Sequence, residues 1–184
     1  MKTVNLVVFT GYPHSGKTTI ANFLKKYGFV RLEIDQIRKE LFGKGFPETN
    51  DNQERMARLT FQYRKADLLV SEKSVMLDSC SMSKTDKDES FLVPKFVEGS
   101  LRKNESKIKK YLLYVDVNRK ILLHRNFSYK TRDNKKFLDL LPNLDKYWQD
   151  PKSYKSKDVK LLVYKNNTNQ DLEKIKLSLE KLFK

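Results

Sequence analysis

The first forty residues alternate between apolar runs and helical spacing. An apolar run covers residues 4–10 and ends at a glycine-containing turn. From residue 18 to residue 27, apolar side chains recur every three or four positions, which is the period of an amphipathic helix. A second run over residues 29–34 leads to Asp35, which can cap a helix over residues 36–42. The pattern predicts strand, helix, strand and helix.

The same alternation continues to the end of the chain. Residues 51–71 predict a long amphipathic helix whose apolar positions are Met56, Leu59, Tyr63, Ala66 and Val70. Further strands are predicted at residues 75–77, 111–117 and 159–164, and further helices at residues 91–101, 119–126, 137–148 and 171–183. Five strands alternating with helices predict a parallel sheet covered on both faces, the three-layer α/β/α architecture.

Length and composition favour one intracellular domain. The 184 residues suit a single core, so we expect one domain over residues 1–184. Cys80 is the one cysteine, which rules out an intramolecular disulfide and favours a reducing compartment. No apolar run approaches the roughly 18 residues of a membrane span. We therefore expect a cytoplasmic protein without a membrane partner.

The formal net charge of +15 has two interpretations. Clustered Lys and Arg gain affinity for polyanions by releasing counterions from phosphates, which favours a nucleic-acid partner. The excess is mostly Lys, however, and a compositional bias of the source genome would give the same surplus. The charge alone leaves a nucleic-acid substrate open.

Residues 11–18 carry the first chemistry. They satisfy G-x-x-x-x-G-K-[ST], the Walker A pattern of phosphate-binding loops, and they lie between a predicted strand and helix. In such a loop the backbone N–H groups surround the phosphates of ATP, the lysine reaches the β- and γ-phosphates and the threonine ligates Mg²⁺. We expect the side chain of His14 to point away. The predicted ATP-binding residues of this segment are Gly11, His14, Ser15, Gly16, Lys17, Thr18 and Thr19.

Three further segments complete a resemblance that covers nearly the whole chain. They are E-I-D-Q-I-R over residues 33–38, S-V-M-L-D over residues 74–78, and Y-L-L-Y-V-D-V followed by I-L-L-H-R-N over residues 111–126. With the phosphate-binding loop, they resemble the small P-loop kinases that include the 5′-hydroxyl polynucleotide kinases, the zeta-toxin-like kinases and the seryl-tRNA kinases.

The resemblance implies a P-loop kinase fold with a basic lid and a role for each matched residue. Asp35 would be the general base that orients the acceptor hydroxyl, and Arg38 would hold the acceptor's phosphate or the transferring group. Asp78 would join Thr18 at the magnesium ion. Arg125 and Arg132 would close over ATP from a lid insertion at about residues 126–136, and Asn167 would lie in the loop against the adenine ring.

The acceptor stays open at this point. The resemblance implies transfer of the ATP γ-phosphate to a hydroxyl group, with an RNA or DNA 5′ end or a nucleoside or nucleotide as leading acceptors. An aminoacyl-tRNA or a sugar is the alternative, and we expect the acceptor pocket between residues 36–42, residues 51–71 and the loop 79–87. A non-catalytic nucleotide-binding module and a nucleic-acid-binding module are the alternatives outside phosphate transfer.

Overall fold

The computed structural model describes residues 1–45, 48–78, 82–128 and 134–184. The strands are β1 (Lys2–Thr10), β2 (Val30–Glu33), β3 (Val75–Asp78), β4 (Ser106–Asp116) and β5 (Val159–Lys165). The helices are α1 (Lys17–Leu24), α2 (Ile34–Phe42), α3 (Asp51–Val70), α4 (Lys84–Phe91), α5 (Lys95–Lys103), α6 (Arg119–Ser128), α7 (Asn134–Tyr147) and α8 (Asn169–Phe183).

The five strands form one parallel sheet in the order β2-β3-β1-β4-β5. The central strand β1 pairs with β3 on one side and with β4 on the other. Because all strands run in one direction, their carboxyl ends meet at one edge, and the segments that follow β1, β2 and β3 are brought together there. The predicted parallel α/β fold is confirmed.

Successive residues of β1 face opposite sides of the sheet and separate two hydrophobic cores. Leu6 and Val8 pack in a core that includes side chains of α3 and α5. Val7 and Phe9 pack in a second core with side chains of α1 and α8. Each core fixes one layer of helices against the sheet, and the loop between β1 and α1 is anchored at both its ends.

The predicted long helix is confirmed as α3, and Ala66 and Val70 of its predicted apolar positions pack in the core. The other three predicted positions lie on the exposed side. Met56, Leu59 and Tyr63 are 55%, 63% and 74% exposed, whereas the buried positions are Ala57, Phe61, Lys65, Ala66 and Leu69. The prediction was wrong for Met56, Leu59 and Tyr63, because the buried face of α3 includes Lys65, which hydropathy assigns to solvent. The Lys65 ammonium instead donates to the carbonyls of residues 89 and 90 at the end of α4, so its stem lies in the interior.

Several boundaries also differ from the predictions. Helix α2 begins at Ile34, so Asp35 lies in its first turn and does not cap it. The helix predicted at residues 91–101 begins only at Lys95, because Pro94 stands at the N-cap of α5. Helix α4 was not predicted as a helix; a capping box formed by Ser83 and Asp86 starts it. Strand β4 begins at Ser106, five residues before the predicted start, and three of these five residues are Lys.

Parts of the predicted basic loop at residues 127–136 are helical, and residues 129–133 lie outside the described residues. Helix α6 continues to Ser128, and α7 already begins at Asn134. Among the described residues, no helix is both long and apolar enough to cross a membrane.

Candidate functional site

The loop from Gly11 to Gly16 has a backbone that requires its two glycines. Both have positive φ, 143° at Gly11 and 97° at Gly16. A Cβ added to Gly16 would lie 2.4 Å from Asn166 Nδ2, and one added to Gly11 would lie 2.8 Å from Val115 O. The loop therefore turns tightly between β1 and α1, with its last residue directly against the loop that follows β5.

The Lys17 side chain folds back over this loop. It is only 7% exposed, and its Nζ donates to Gly11 O at 2.9 Å and to Tyr12 O at 2.8 Å. This arrangement places a buried cation inside the curve of the loop. The lysine ammonium there has three protons to donate. Together with the N-terminus of α1, the geometry can hold an anionic group such as a phosphate.

The other predicted residues of this segment lie at the end of the loop and in the first turn of α1. The half-exposed His14 has a φ of 64°, while Ser15 is buried and its Oγ has no hydrogen-bond partner in the described part of the chain. Thr18 and Thr19 are exposed in the first turn of α1.

Thr18 meets the carboxylate that ends β3. Its Oγ1 donates to Asp78 Oδ2 at 3.2 Å, and the same carboxylate oxygen accepts from Arg31 Nε at 2.9 Å. Hydroxyl and carboxylate oxygens are ligands that Mg²⁺ prefers, with phosphates and waters supplying the rest of its shell. Thr18 and Asp78 could therefore hold Mg²⁺. In the described ranges, no cluster of three or more His, Cys, Asp or Glu side chains could hold a metal ion.

Arg38 lies between two carboxylates. Its Nη1 donates to Asp35 Oδ1 at 2.5 Å, and its Nε and Nη2 form a fork on Glu54 at 2.8 and 2.7 Å. Burial alone would lower the pKa of Arg38, but the hydrogen bonds to Glu54 and Asp35 outweigh it and raise this pKa. The Asp35 side chain remains 57% exposed. Its carboxylate thus faces solvent while Arg38 fixes its direction.

The loop after β5 contacts the phosphate-binding loop through Asn166 and Arg125. Asn166 Nδ2 donates to Ser15 O at 2.7 Å, and Arg125 Nη2 donates to Asn166 O at 2.8 Å. Arg125 Nη1 also makes long contacts with the carbonyls of His14 and Ser15. Asn167 instead accepts from the backbone of Asn118 with its side-chain oxygen.

Helix α7 docks on the phosphate-binding loop. Tyr12 OH donates to Asp145 at 2.7 Å, and its ring packs on Trp148 with centroids 4.6 Å apart. Burial, and then the hydrogen bond to Asp145, raise the pKa of Tyr12 to about 12. A cavity of about 220 Å³ lies beside this contact, lined by Tyr12, Ser15, the end of β4 and apolar residues of α6 and α7.

The structure thus gathers most of the predicted residues at one edge of the sheet. Lys17, Thr18 and Asp78 meet there, Asp35 pairs with Arg38 at the end of β2, and Arg125 contacts the loop. Arg132 and Cys80 lie outside the described residues.

Sequence reasoning missed Arg31, Glu54 and Asn166. Arg31 and Glu54 are brought to the site by tertiary contacts that no local spacing signals. Asn166 stands beside the predicted Asn167, and the two adjacent asparagines are indistinguishable without the fold.

A protein-family model described as Chromatin associated protein KTI12 matches residues 4–179. The chain belongs to this family. No curated protein matches the KTI12-family chain.

Solved kinases share its fold. A sugar kinase from Janibacter sp. is 17% identical with a TM-score of 0.61, over 97% of this chain and 95% of that one. A shikimate kinase from Bacteroides thetaiotaomicron is 14% identical with a TM-score of 0.56, over 97% of both chains. A fungal RNA kinase is 15% identical with a TM-score of 0.63, and the match covers 99% of this chain but 44% of that kinase. At these identities the likeness shows the P-loop kinase fold alone.

Proposed function

We propose that this protein binds ATP with Mg²⁺ and transfers the γ-phosphate to a hydroxyl group of an acceptor. The observation that carries the proposal is the buried Lys17 ammonium inside the loop, adjacent in sequence to the Thr18 hydroxyl that contacts Asp78. A loop that only connected β1 to α1 would need neither the buried cation nor the hydroxyl–carboxylate pair.

In the proposed reaction, Lys17 leaves the carbonyls of Gly11 and Tyr12 and pairs with the phosphates of ATP. Backbone N–H groups of the loop and of the first turn of α1 donate to the same phosphates. Thr18 and Asp78 supply oxygen ligands on the metal side, where Mg²⁺ neutralises phosphate charge when bound. Arg125 stands beside the loop as a cation for the nucleotide, and Arg132 keeps the lid role that the resemblance implies.

Asp35 is proposed to act on the acceptor. Its exposed carboxylate can accept a hydrogen bond from the acceptor hydroxyl, orient the oxygen and take its proton as phosphate charge develops on the leaving side. Arg38 fixes that carboxylate from one side, because Glu54 holds the other edge of the guanidinium. Holding an acceptor phosphate with Arg38 would require that group to displace one of its two carboxylates.

A polynucleotide 5′-hydroxyl or a nucleoside is the leading acceptor. The fold shared with a fungal RNA kinase supports this choice, and so does the net charge of +15. The folds shared with a sugar kinase and a shikimate kinase support a small-molecule acceptor as the alternative.

The test is phosphate transfer from γ-labelled ATP to a panel of 5′-hydroxyl oligonucleotides, nucleosides and sugars. We expect Asp35→Asn to bind ATP normally and to lose transfer by about two orders of magnitude or more. Asp67→Asn, an exposed carboxylate on α3, is the matched control and should transfer at the parent rate. Equal transfer by Asp35→Asn and the parent would exclude Asp35 as the base.

The same panel separates the alternatives. A nucleic-acid-binding module would bind oligonucleotides without labelling them, with an affinity that falls steeply with salt, by about 0.7 in log–log slope for each phosphate contacted on a single strand. A nucleotide-binding module without transfer would bind ATP and label nothing.

A further inference from the structure

Arg31 is a cation at the proposed metal side to which neither the motifs nor the resemblance assigns a role. It lies in β2, and its Nε and Nη2 are 2.9 and 2.6 Å from Asp78 Oδ2. This is the carboxylate oxygen that also accepts from Thr18 Oγ1. The Arg31 and Asp78 side chains are 16% and 6% exposed. The oxygen that faces Thr18 is therefore already held by a protein cation.

The same guanidinium has a second carboxylate within reach. Arg31 Nη2 lies 2.9 Å from Glu33 Oε2. Arg31 and Glu33 are two residues apart in one strand and so face the same side of it. Glu33 is the register partner of Asp78 across the β2–β3 pair. One guanidinium is thus shared between two neighbouring carboxylates.

The charges of this triad suggest how it responds to a metal ion. A buried carboxylate without a partner is costly, so Arg31 stabilises Asp78 when no metal is near. A divalent cation next to Asp78 repels the guanidinium, and an unpaired guanidinium at this depth would be equally costly. The Glu33 carboxylate is already in contact with Arg31, and its side chain is 36% exposed. The Arg31 guanidinium would need only a small rotation to pair with Glu33 alone.

We propose that Arg31 is a positioning residue that holds Asp78 in the metal-free protein and shifts onto Glu33 when Mg²⁺ and ATP bind. The inference rests on the proposed function. Arg31 and Mg²⁺ then compete for the Asp78 carboxylate. Glu33 determines how easily Arg31 leaves Asp78, because it is the alternative partner of the guanidinium. The pair tunes the Mg²⁺ concentration at which the site fills.

The test is the half-saturating Mg²⁺ concentration for binding of a fluorescent ATP analogue, which needs no turnover. Glu33→Gln removes the second carboxylate partner of Arg31, so we expect the half-saturating Mg²⁺ concentration to rise threefold or more. Arg31→Gln removes the competitor, so it should fall threefold or more. In the double variant, Glu33→Gln should add no further change. Glu173→Gln on α8 removes the same charge far from the triad and should match the parent.

Two results would overturn the inference. One is an unchanged Mg²⁺ requirement in Glu33→Gln; the other is an equal effect of Glu33→Gln with and without Arg31. Analogue binding in the absence of Mg²⁺ checks that each variant is folded, and Glu33→Gln decides the matter alone if Arg31→Gln does not fold. A parent protein that binds no Mg²⁺–nucleotide would refute the proposed function and this inference together.

Discussion

Two constraints act on Gly16: a positive φ and the close approach of Asn166. The motif spacing predicts only the first. The φ of 97° at Gly16 favours glycine by itself, as does the φ of 79° at Gly28. At Gly16 the space for a side chain is also filled by Asn166, which is hydrogen-bonded to Ser15 O. At Gly28 no atom lies within 4 Å of an added Cβ. A substitution at Gly28 therefore introduces backbone strain alone, whereas one at Gly16 adds a steric clash with Asn166.

Substitution at these two positions tests that difference. We expect Gly28→Ala to cost about 1 kcal/mol of unfolding free energy, from strain alone, and to leave ATP binding unchanged. Gly16→Ala should cost more and weaken ATP binding at least tenfold, because displacing Asn166 distorts the loop. Urea unfolding and nucleotide titration measure both quantities. Equal ATP affinity in the two variants would contradict the role of Gly16.

Lys65 is a fully buried cation that donates to two backbone carbonyls at the end of α4. Burial, and then repulsion from Lys110, lower the pKa of Lys65 to about 8, although Glu89 opposes the shift. The unfolded chain keeps a pKa near the ordinary value of 10.5. Between these two values the unfolded state binds more protons, so stability rises with pH.

The pH dependence of stability tests this burial. From pH 8 to pH 10.5, the unfolding free energy of the parent should rise relative to Lys65→Met by roughly 1–3 kcal/mol, since each pKa unit corresponds to about 1.4 kcal/mol. Below pH 8 the difference between the two proteins should be constant. Denaturant unfolding across this range makes the comparison, and parallel curves throughout would show that Lys65 titrates normally.

At the scale of elements, α3 shows why periodicity located a helix but misplaced part of its buried face. Apolar side chains recur at helical spacing on both sides of α3, at Leu59 and Tyr63 and again at Phe61 and Leu69. Only the second set packs against the sheet. The position that decides between the faces is Lys65, a residue that hydropathy assigns to solvent.

Alanine substitution on the two faces tests this assignment. Leu59→Ala should change the unfolding free energy by less than about 0.5 kcal/mol, because the side chain is exposed. Phe61→Ala should cost about 3–5 kcal/mol, because it leaves a cavity in the core. Urea unfolding of both variants gives the comparison, and a larger loss for Leu59→Ala would restore the face that the spacing suggested.

Helix α4 and the start of β4 were harder to predict than the other elements. Five of the eight residues of α4 are charged, and its stability comes from the Ser83 capping box and from Lys65 at its other end. The first residues of β4 alternate Lys with Ser106 and Ile108, so the long Lys stems hid the strand period.

At the scale of the whole molecule, strand–helix alternation was sufficient to predict the parallel sheet and its two helix layers. The G-x-x-x-x-G-K-[ST] motif predicted the position of the candidate site, because it follows the central strand β1. The partners of each charged group were beyond the sequence. Arg38 meets Glu54 from α3, and Asp78 meets Arg31 from β2, through packing between elements distant in the chain.

The proposed kinase activity depends on Lys17 binding the phosphates of ATP. Calorimetric titration of Mg²⁺–ATP into the parent, Lys17→Ala and Lys25→Ala tests this most directly, since Lys25 is an exposed lysine just past the end of α1. We expect the parent and Lys25→Ala to bind with equal affinity and Lys17→Ala to bind at least a hundredfold more weakly, a difference of about 2.7 kcal/mol. Equal binding by Lys17→Ala, or no binding by the parent, would contradict the proposed role of Lys17 in ATP binding.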